Sequence, residues 1–107
     1  MSIYLQPADG SGDAERLTTA EEGIEHEPNS WSPDGRTLSF ARLDTSTLRG
    51  IWTLAPDGET EPEPFYDLSD STQASSMFSP NGNWLAYWSN ETGTNEVYVS
   101  RFPPCPA

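Results

Sequence analysis

The chain has 107 residues, 17 of them acidic against five arginines and no lysine, which gives a formal charge of -12. This length predicts one small domain. A field of that sign repels phosphate backbones and anionic lipid surfaces, so neither a nucleic acid nor a membrane is an expected partner.

The first residues are typical of strands and not of a targeting signal. They lack a basic start followed by about 7 to 15 apolar residues, and no apolar run is long enough to cross a membrane, so a soluble chain without an address is predicted. "IYLQPADG" (Ile3–Gly10) and "ERLT" (Glu15–Thr18) indicate two strands joined by a hairpin. We therefore interpret residues 1–18 as half of a four-stranded unit.

Residues 28–67 indicate a complete unit. Its first turn is Ser32, Pro33, Asp34 and Gly35, in which proline fixes φ, aspartate bonds nearby backbone and glycine accepts positive φ. The predicted strands "TLSFAR", "IWTLA" and "PEPFY" follow, and "IWTLA" is apolar on both faces, which predicts a covering layer on each side. Proline in "PEPFY" suits an outer edge, which needs fewer ladder bonds.

Residues 74–102 repeat this order. The second turn consists of Ser79, Pro80, Asn81 and Gly82, each 47 positions after its counterpart. "EVYVSRFP" follows "GIWTLAPDG" at an offset of 46, and "IYLQPADG" precedes "IWTLAPDG" by 48. A strand-rich period of about 40 to 50 residues is typical of β-propeller blades.

The predicted fold is therefore all-β, a partial β-propeller of four-stranded antiparallel blades. With strands lettered A to D from the central channel outward, residues 1–18 supply C and D of one blade, 28–67 a complete blade, 74–102 strands A, B and C of another, and 103–107 a tail. A closed ring needs about four to eight blades. Each end blade should then expose an apolar face, which predicts self-association or a stability at the low end of about 5 to 15 kcal/mol.

The repeats resemble the Ser-Pro-Asp-Gly propeller repeats of the TolB-like family, which are similar to WD repeats. The resemblance is greatest to propellers appended to bacterial serine/threonine protein kinases, where Asn-Glu-x-Gly-x-Asn-Glu-Val-Tyr-Val followed by Phe-Pro recurs. The matching positions are Asn90, Glu91, Gly93, Asn95, Glu96, Val97, Tyr98, Val99, Phe102 and Pro103. The resemblance implies a bacterial, periplasmic or otherwise extracytoplasmic ring of roughly six blades that recognises a protein or ligand.

Few residues are suited to metal or cofactor chemistry. His26 stands between two glutamates, but a lone histidine whose neighbours face alternate ways supplies too few ligands, so we interpret it as structural. A calcium loop beginning at Asp9 is not predicted, because Ala14 and Ala20 stand where that loop needs glycine and glutamate. Cys105 is the single cysteine, so it forms no intramolecular disulfide and no zinc set. We predict no metal and no cofactor.

The aromatic residues give the one candidate site. Trp31 and Phe78 share a repeat position and are interpreted as packing between blades. Trp84 and Trp88 have no aromatic counterpart in the preceding repeat, which has threonine and alanine there. Since exposed aromatics mark recognition surfaces, these two tryptophans are predicted to form a binding surface.

Catalysis by the chain itself is not expected. Ser32 and Ser79 precede proline in turns and lack the Gly-x-Ser-x-Gly elbow of serine hydrolases. The sequence favours a non-catalytic module whose parent protein recognises a protein, peptide or cell-wall ligand. The alternative is the propeller portion of an enzyme, either the gate of a prolyl oligopeptidase-like peptidase or the sensor of a serine/threonine kinase. A standalone half-propeller that oligomerises is a third hypothesis.

Overall fold

The computed structural model describes residues 2–6, 9, 12–18, 22–44, 49–56, 61–66 and 71–103. These residues form nine strands in three antiparallel sheets, and they contain no helix. The predicted all-β class is confirmed. Cys105, Ala20 and the hairpin residues 57–60 lie outside the described residues.

Each sheet is a meander in which consecutive strands are neighbours. The first sheet pairs β1 (Tyr4–Leu5) with β2 (Glu15–Arg16). The second has the order β3 (Ile24–Trp31), β4 (Leu38–Asp44), β5 (Arg49–Leu54) and β6 (Glu63–Tyr66). The third has the order β7 (Gln73–Phe78), β8 (Trp84–Ser89) and β9 (Glu96–Arg101).

Strand β3 begins before residue 28, in a stretch that is rich in glutamate. Ile24 pairs with Asp44 and Glu27 pairs with Ala41, so the ladder to β4 starts before residue 28. The alternation of a strand explains why acidic residues fit here, since Glu25 and Glu27 are exposed on one side and His26 between them is buried.

His26 fastens β3 to the first sheet. Its Nδ1 lies 2.8 Å from Thr18 Oγ1, and the same hydroxyl oxygen accepts the Ile3 N–H at 2.9 Å. Its ring meets the Phe40 ring edge-on with centroids 5.2 Å apart. Burial, and then the nearby Arg42 guanidinium, lower the pKa of His26 below its ordinary value. These contacts give His26 a structural role as a neutral imidazole.

Acidification is expected to weaken the fold through this imidazole. Because the pKa of His26 is lowered in the folded state, the unfolded chain binds the proton more readily, and stability declines as pH falls through the unfolded value. The midpoint temperature of thermal unfolding should therefore decrease as the pH is lowered from about 7.5 to about 5.5. This range lies above the one in which carboxylates titrate. His26→Asn should flatten that decline, and an unchanged slope in the variant would contradict this role.

The turn after β3 shows why the motif Ser-Pro-Asp-Gly suits this bend. The Ser32 hydroxyl donates to Asp34 Oδ1 at 2.6 Å and accepts the Thr37 N–H at 3.0 Å. Asp34 Oδ1 also accepts the Arg36 N–H at 3.0 Å, and Gly35 has φ +72°. The Ser32 hydroxyl is the main cause that lowers the pKa of Asp34, which stays ionised as the acceptor of the turn.

The turn after β7 repeats this network. Ser79 Oγ donates to Asn81 Oδ1 at 2.7 Å, and it accepts the Trp84 N–H at 3.1 Å. Asn81 Oδ1 accepts the Asn83 N–H at 2.9 Å, and Gly82 has φ +75°. An amide oxygen thus replaces a carboxylate oxygen without changing the turn.

Two apolar cores separate the three sheets. The first core lies between the first and second sheets and consists of Ile3, Leu38, Phe40 and Leu54, with Leu17 and Trp52 packed against it. The second core lies between the second and third sheets and consists of Ile51, Phe78, Leu85 and Tyr87, with Phe65, Tyr66, Tyr98 and Phe102 packed against it. The middle sheet is therefore covered on both faces, as the apolar pattern of "IWTLA" predicts.

A polar seam joins β3 and β4 of the second sheet to β7 of the third sheet. The buried Ser76 hydroxyl lies 2.7 Å from Asn29 Oδ1 and 2.8 Å from Ser39 Oγ. The Phe78 N–H donates to Ser30 Oγ at 3.1 Å. The seam satisfies polar groups that the stacking of the sheets would otherwise leave unpaired.

Candidate interaction surface

The third sheet has one face packed on the second sheet and one face turned away, which we call the outer face. Leu85 and Tyr87 point into the second core, so the alternation of β8 places its other side chains on the outer face. Their cross-strand partners on β7 and β9 share that face. The outer face consists of Ala74, Met77, Trp84, Ala86, Trp88, Val97, Val99 and Arg101, of which Ala74 is buried.

Large apolar side chains are exposed mainly on this face. Val97 is 77% exposed, Met77 65%, Val99 61% and Trp84 40%, and these are four of the six such residues in the described part of the chain. Trp88 is half-buried beside its cross-strand partners. Concentration on one sheet face distinguishes this patch from the scattered apolar residues of an ordinary surface.

The repeat allows the outer face of the third sheet to be compared with the corresponding face of the second sheet. Val97 occupies the place of Ile51, 46 positions earlier, and Ile51 is fully buried in the second core. Trp88 occupies the place of Ala41, 47 positions earlier, which is 1% exposed. The same face of the second sheet is therefore covered by a neighbouring sheet. Val97 and Trp88 on the outer face therefore occupy positions that are buried in the second sheet.

Charge is distributed unevenly around the outer face. Although the chain has 17 acidic residues, none stands on this face among the described residues. Its one charged residue is Arg101, whose guanidinium lies 5.2 Å from the centre of the Trp84 ring. Such an arrangement combines a cation–π contact with an apolar surface and suits a desolvated protein contact.

Both tryptophans singled out by the sequence lie on this face. Trp84 and Trp88 project from the same side of β8, with Ala86 between them. The sequence analysis did not identify Val97 and Val99 as part of this surface, although their alternation in "EVYVSR" indicates that they lie on one side of the strand. Whether the face binds a partner remains a prediction.

In the second sheet, the expectation for Trp31 is wrong. The repeat pattern predicts that Trp31 packs between blades, but it is 45% exposed, whereas its repeat counterpart Phe78 is only 8% exposed. Tyr4, on the first sheet, is 56% exposed. The difference arises because the two-stranded first sheet covers only part of the second, so Trp31 has no described strand above it.

A groove of about 410 Å³ lies where the two turns approach each other. Its lining includes Pro33, Arg36, Asn83 and Phe102. A Cβ atom added to Gly82 would lie 3.3 Å from Pro33 Cδ, so the turns of adjacent sheets are in close contact. The groove is a consequence of that stacking.

Alanine at the two turn glycines should measure this contact. Gly35→Ala is expected to cost about 1 to 2 kcal/mol, because φ is positive there although the space around Gly35 is open. Gly82→Ala has the same backbone strain and also crowds Pro33, so it should cost about 1 kcal/mol more. Urea unfolding of both variants checks this, and equal losses would mean that the turns do not touch.

Other kinds of site gain no support from the described residues. Within them, no three His, Cys, Asp or Glu side chains are close enough to hold a metal ion. No described helix has the length and hydropathy needed to cross a membrane. The hydroxyls of Ser32 and Ser79 are engaged in their turns.

Solved structures share this arrangement of sheets. A protein assigned as TolB from Agrobacterium tumefaciens superposes with a TM-score of 0.76 at 22% identity, over 94% of this chain and 34% of that one. TolB from Acinetobacter baumannii superposes with a TM-score of 0.73 at 23% identity, over 95% of this chain and 24% of that one. No family model and no curated protein matches the sequence. The chain thus has the fold of part of a TolB propeller and spans about a third or less of those chains.

Proposed function

We propose that this chain, which has the fold of part of a TolB propeller, is a non-catalytic module that binds a protein partner through its outer face. The observation that carries the proposal is the acid-free apolar surface around Trp84 and Val97 on a chain of charge -12. A catalytic surface would need polar groups aimed at a substrate, whereas this face offers aromatic and aliphatic area with one arginine.

The electrostatics favour a protein over other partners. The negative field of the chain repels nucleic acids and anionic lipids. Tryptophan and arginine are the residues that contribute most to binding free energy at protein interfaces, and Trp84 and Arg101 lie in contact. Trp88 replaces the alanine of the preceding repeat, so a partner seated here must leave room for an indole.

Peptide display tests this function with no partner specified in advance. Random peptides displayed on phage are selected on the wild-type chain, and the enriched sequences are synthesised and titrated. Loss of the Trp84 ring should weaken their binding about ten-fold in Trp84→Ser, the effect of one interface side chain.

The matched control is Trp31→Ser, which removes an indole of similar exposure from the second sheet, outside the outer face. Binding to this variant should equal binding to the wild-type chain. If the selected peptides lose affinity equally in both variants, or only in Trp31→Ser, the outer face is not the binding surface.

A further inference from the structure

The turn between β7 and β8 contains a pair of residues that is prone to a covalent change. Of the five asparagines in the chain, Asn81 is followed by glycine, whereas the other four are followed by serine, tryptophan or glutamate. In an Asn-Gly pair the backbone nitrogen of glycine can attack the side-chain Cγ of asparagine, because glycine has no side chain that obstructs the approach. Asn81 is also exposed, so water reaches it.

The closed turn engages both groups that would react. The Gly82 N–H donates to the Ser79 carbonyl oxygen at 2.9 Å, so its proton is held in a hydrogen bond. Asn81 Oδ1 accepts the Ser79 hydroxyl at 2.7 Å and the Asn83 N–H at 2.9 Å, which fixes the side-chain amide. Attack of the Gly82 nitrogen on Cγ therefore requires that these bonds open first.

The equivalent turn of the second sheet shows that an aspartate fits the place of Asn81. Asp34 stands 47 positions earlier. Its Oδ1 accepts the corresponding two bonds, from the Ser32 hydroxyl at 2.6 Å and from the Arg36 N–H at 3.0 Å. An aspartate at position 81 can therefore be held in the same way. An isoaspartate cannot, because its main chain runs through Cγ and the oxygen that accepts these bonds is lost.

We propose that Asn81 is a site of spontaneous deamidation, which occurs when the turn opens and whose aspartate product closes the turn again. The Gly82 nitrogen forms a bond to Cγ of Asn81 and loses its proton, while the bond from Cγ to Nδ2 breaks and ammonia leaves. Water then hydrolyses the succinimide at one of its two carbonyl groups, which gives aspartate or isoaspartate without any change of oxidation state.

The aspartate product changes both the motif and the charge of the chain. The second turn becomes Ser-Pro-Asp-Gly, like the first, and one negative charge is added to the formal charge of -12. The new carboxylate lines the groove between the two turns, which Asp34 also lines. The site lies in a turn and not on the outer face, so this inference is independent of the proposed function.

Mass spectrometry of the aged protein tests the proposal. The purified chain is incubated at mildly alkaline pH with and without urea, and it is then digested with pepsin at acidic pH, at which the attack is slow. Asn81 should be the first asparagine converted to a carboxylic acid, and urea should raise its rate about ten-fold or more, because it opens the turn. Earlier conversion of Asn90 or Asn95, or a rate that urea does not change, would overturn the proposal.

Two serine variants test whether the turn itself sets the rate. Ser79→Ala removes the hydroxyl that bonds Asn81 Oδ1, so deamidation in the absence of urea should be about three to ten times faster. The matched control is Ser32→Ala, which removes the equivalent hydroxyl from the other turn and should leave the rate at Asn81 unchanged. Equal acceleration in the two variants would mean that opening of the whole chain, and not of this turn, controls the reaction.

Exchange of the turn residues completes the test. Asp34→Asn creates a second Asn-Gly pair in the same network, and its new asparagine should deamidate at a rate similar to that of Asn81. Asn81→Asp has the sequence of the aspartate product, so it should unfold at the same urea concentration as the wild-type chain. The aspartate form isolated from the aged protein by ion exchange should match this variant. If Asn81→Asp is unfolded, or if the aged protein contains isoaspartate alone, the turn does not close on the product and the proposal fails.

Discussion

Ile51→Ala is expected to lower the free energy of unfolding by about 2 to 5 kcal/mol, whereas Val97→Ala should lower it by about 0.5 kcal/mol. The two residues occupy the same place in successive repeats. Ile51 is fully buried between the second and third sheets, so its truncation leaves a cavity, while the Val97 side chain is 77% exposed. The comparison therefore measures what the covering sheet contributes.

Urea unfolding at neutral pH, followed by tryptophan fluorescence, provides the two values. A loss of this size from Ile51→Ala is a large share of the stability of a small domain. Similar losses in the two variants would mean that the third sheet does not cover Ile51, or that another surface covers Val97.

The substitution Val97→Asp is expected to suppress the self-association that we expect of the wild-type chain. At high protein concentration, copies should associate through their outer faces, because burying a valine side chain stabilises a contact by about 1.5 to 3 kcal/mol. A carboxylate there adds a desolvation penalty and another negative charge, so the dissociation constant should rise about ten-fold or more. Sedimentation velocity over a concentration series measures this change.

Thr92→Asp is the matched control, because it adds the same charge at an exposed turn position that is not part of the outer face. It should leave association nearly unchanged. Since the copies repel each other, association of the wild-type chain should increase as salt rises from about 0.01 M to about 1 M. If the wild-type chain is a monomer at all concentrations and salt levels, the expectation that its uncovered apolar face drives self-association is contradicted.

The fold could be predicted from short sequence motifs, because these determine the turns and the strands. The turns at Ser32 and Ser79 depend on proline, an Asp or Asn acceptor and glycine, all of which are visible in the sequence. The spacing of these motifs indicates the period of the sheets, and the two-faced apolar pattern of β5 predicts that the second sheet lies in the middle.

Contacts between distant residues could not be predicted. The bond between Asn29 and Ser76 joins residues 47 positions apart, and nothing in either local sequence specifies it. The same holds for His26 and Thr18, whose contact depends on how the first sheet lies on the second. The exposure of Trp31 depends on the extent of its covering sheet, which a repeat pattern does not reveal.

The candidate site was partly visible in the sequence. Trp84 and Trp88 stand out because they depart from the preceding repeat. Their neighbours Val97 and Val99 look like ordinary strand residues, and only the three-dimensional arrangement shows that β9 is an edge and that its valines continue the tryptophan surface.

The central claim is that the sheets stack through the second core and leave the outer face uncovered. Methyl-to-aromatic nuclear Overhauser effects in the dilute protein test it most directly. Cross-peaks from the Ile51 methyl groups to the rings of Phe78 and Tyr87 are expected, with no cross-peak from the Val97 methyl groups to any ring of the second sheet. Cross-peaks from Val97 to Phe65 or Tyr66, with none from Ile51 to Phe78, would contradict this arrangement.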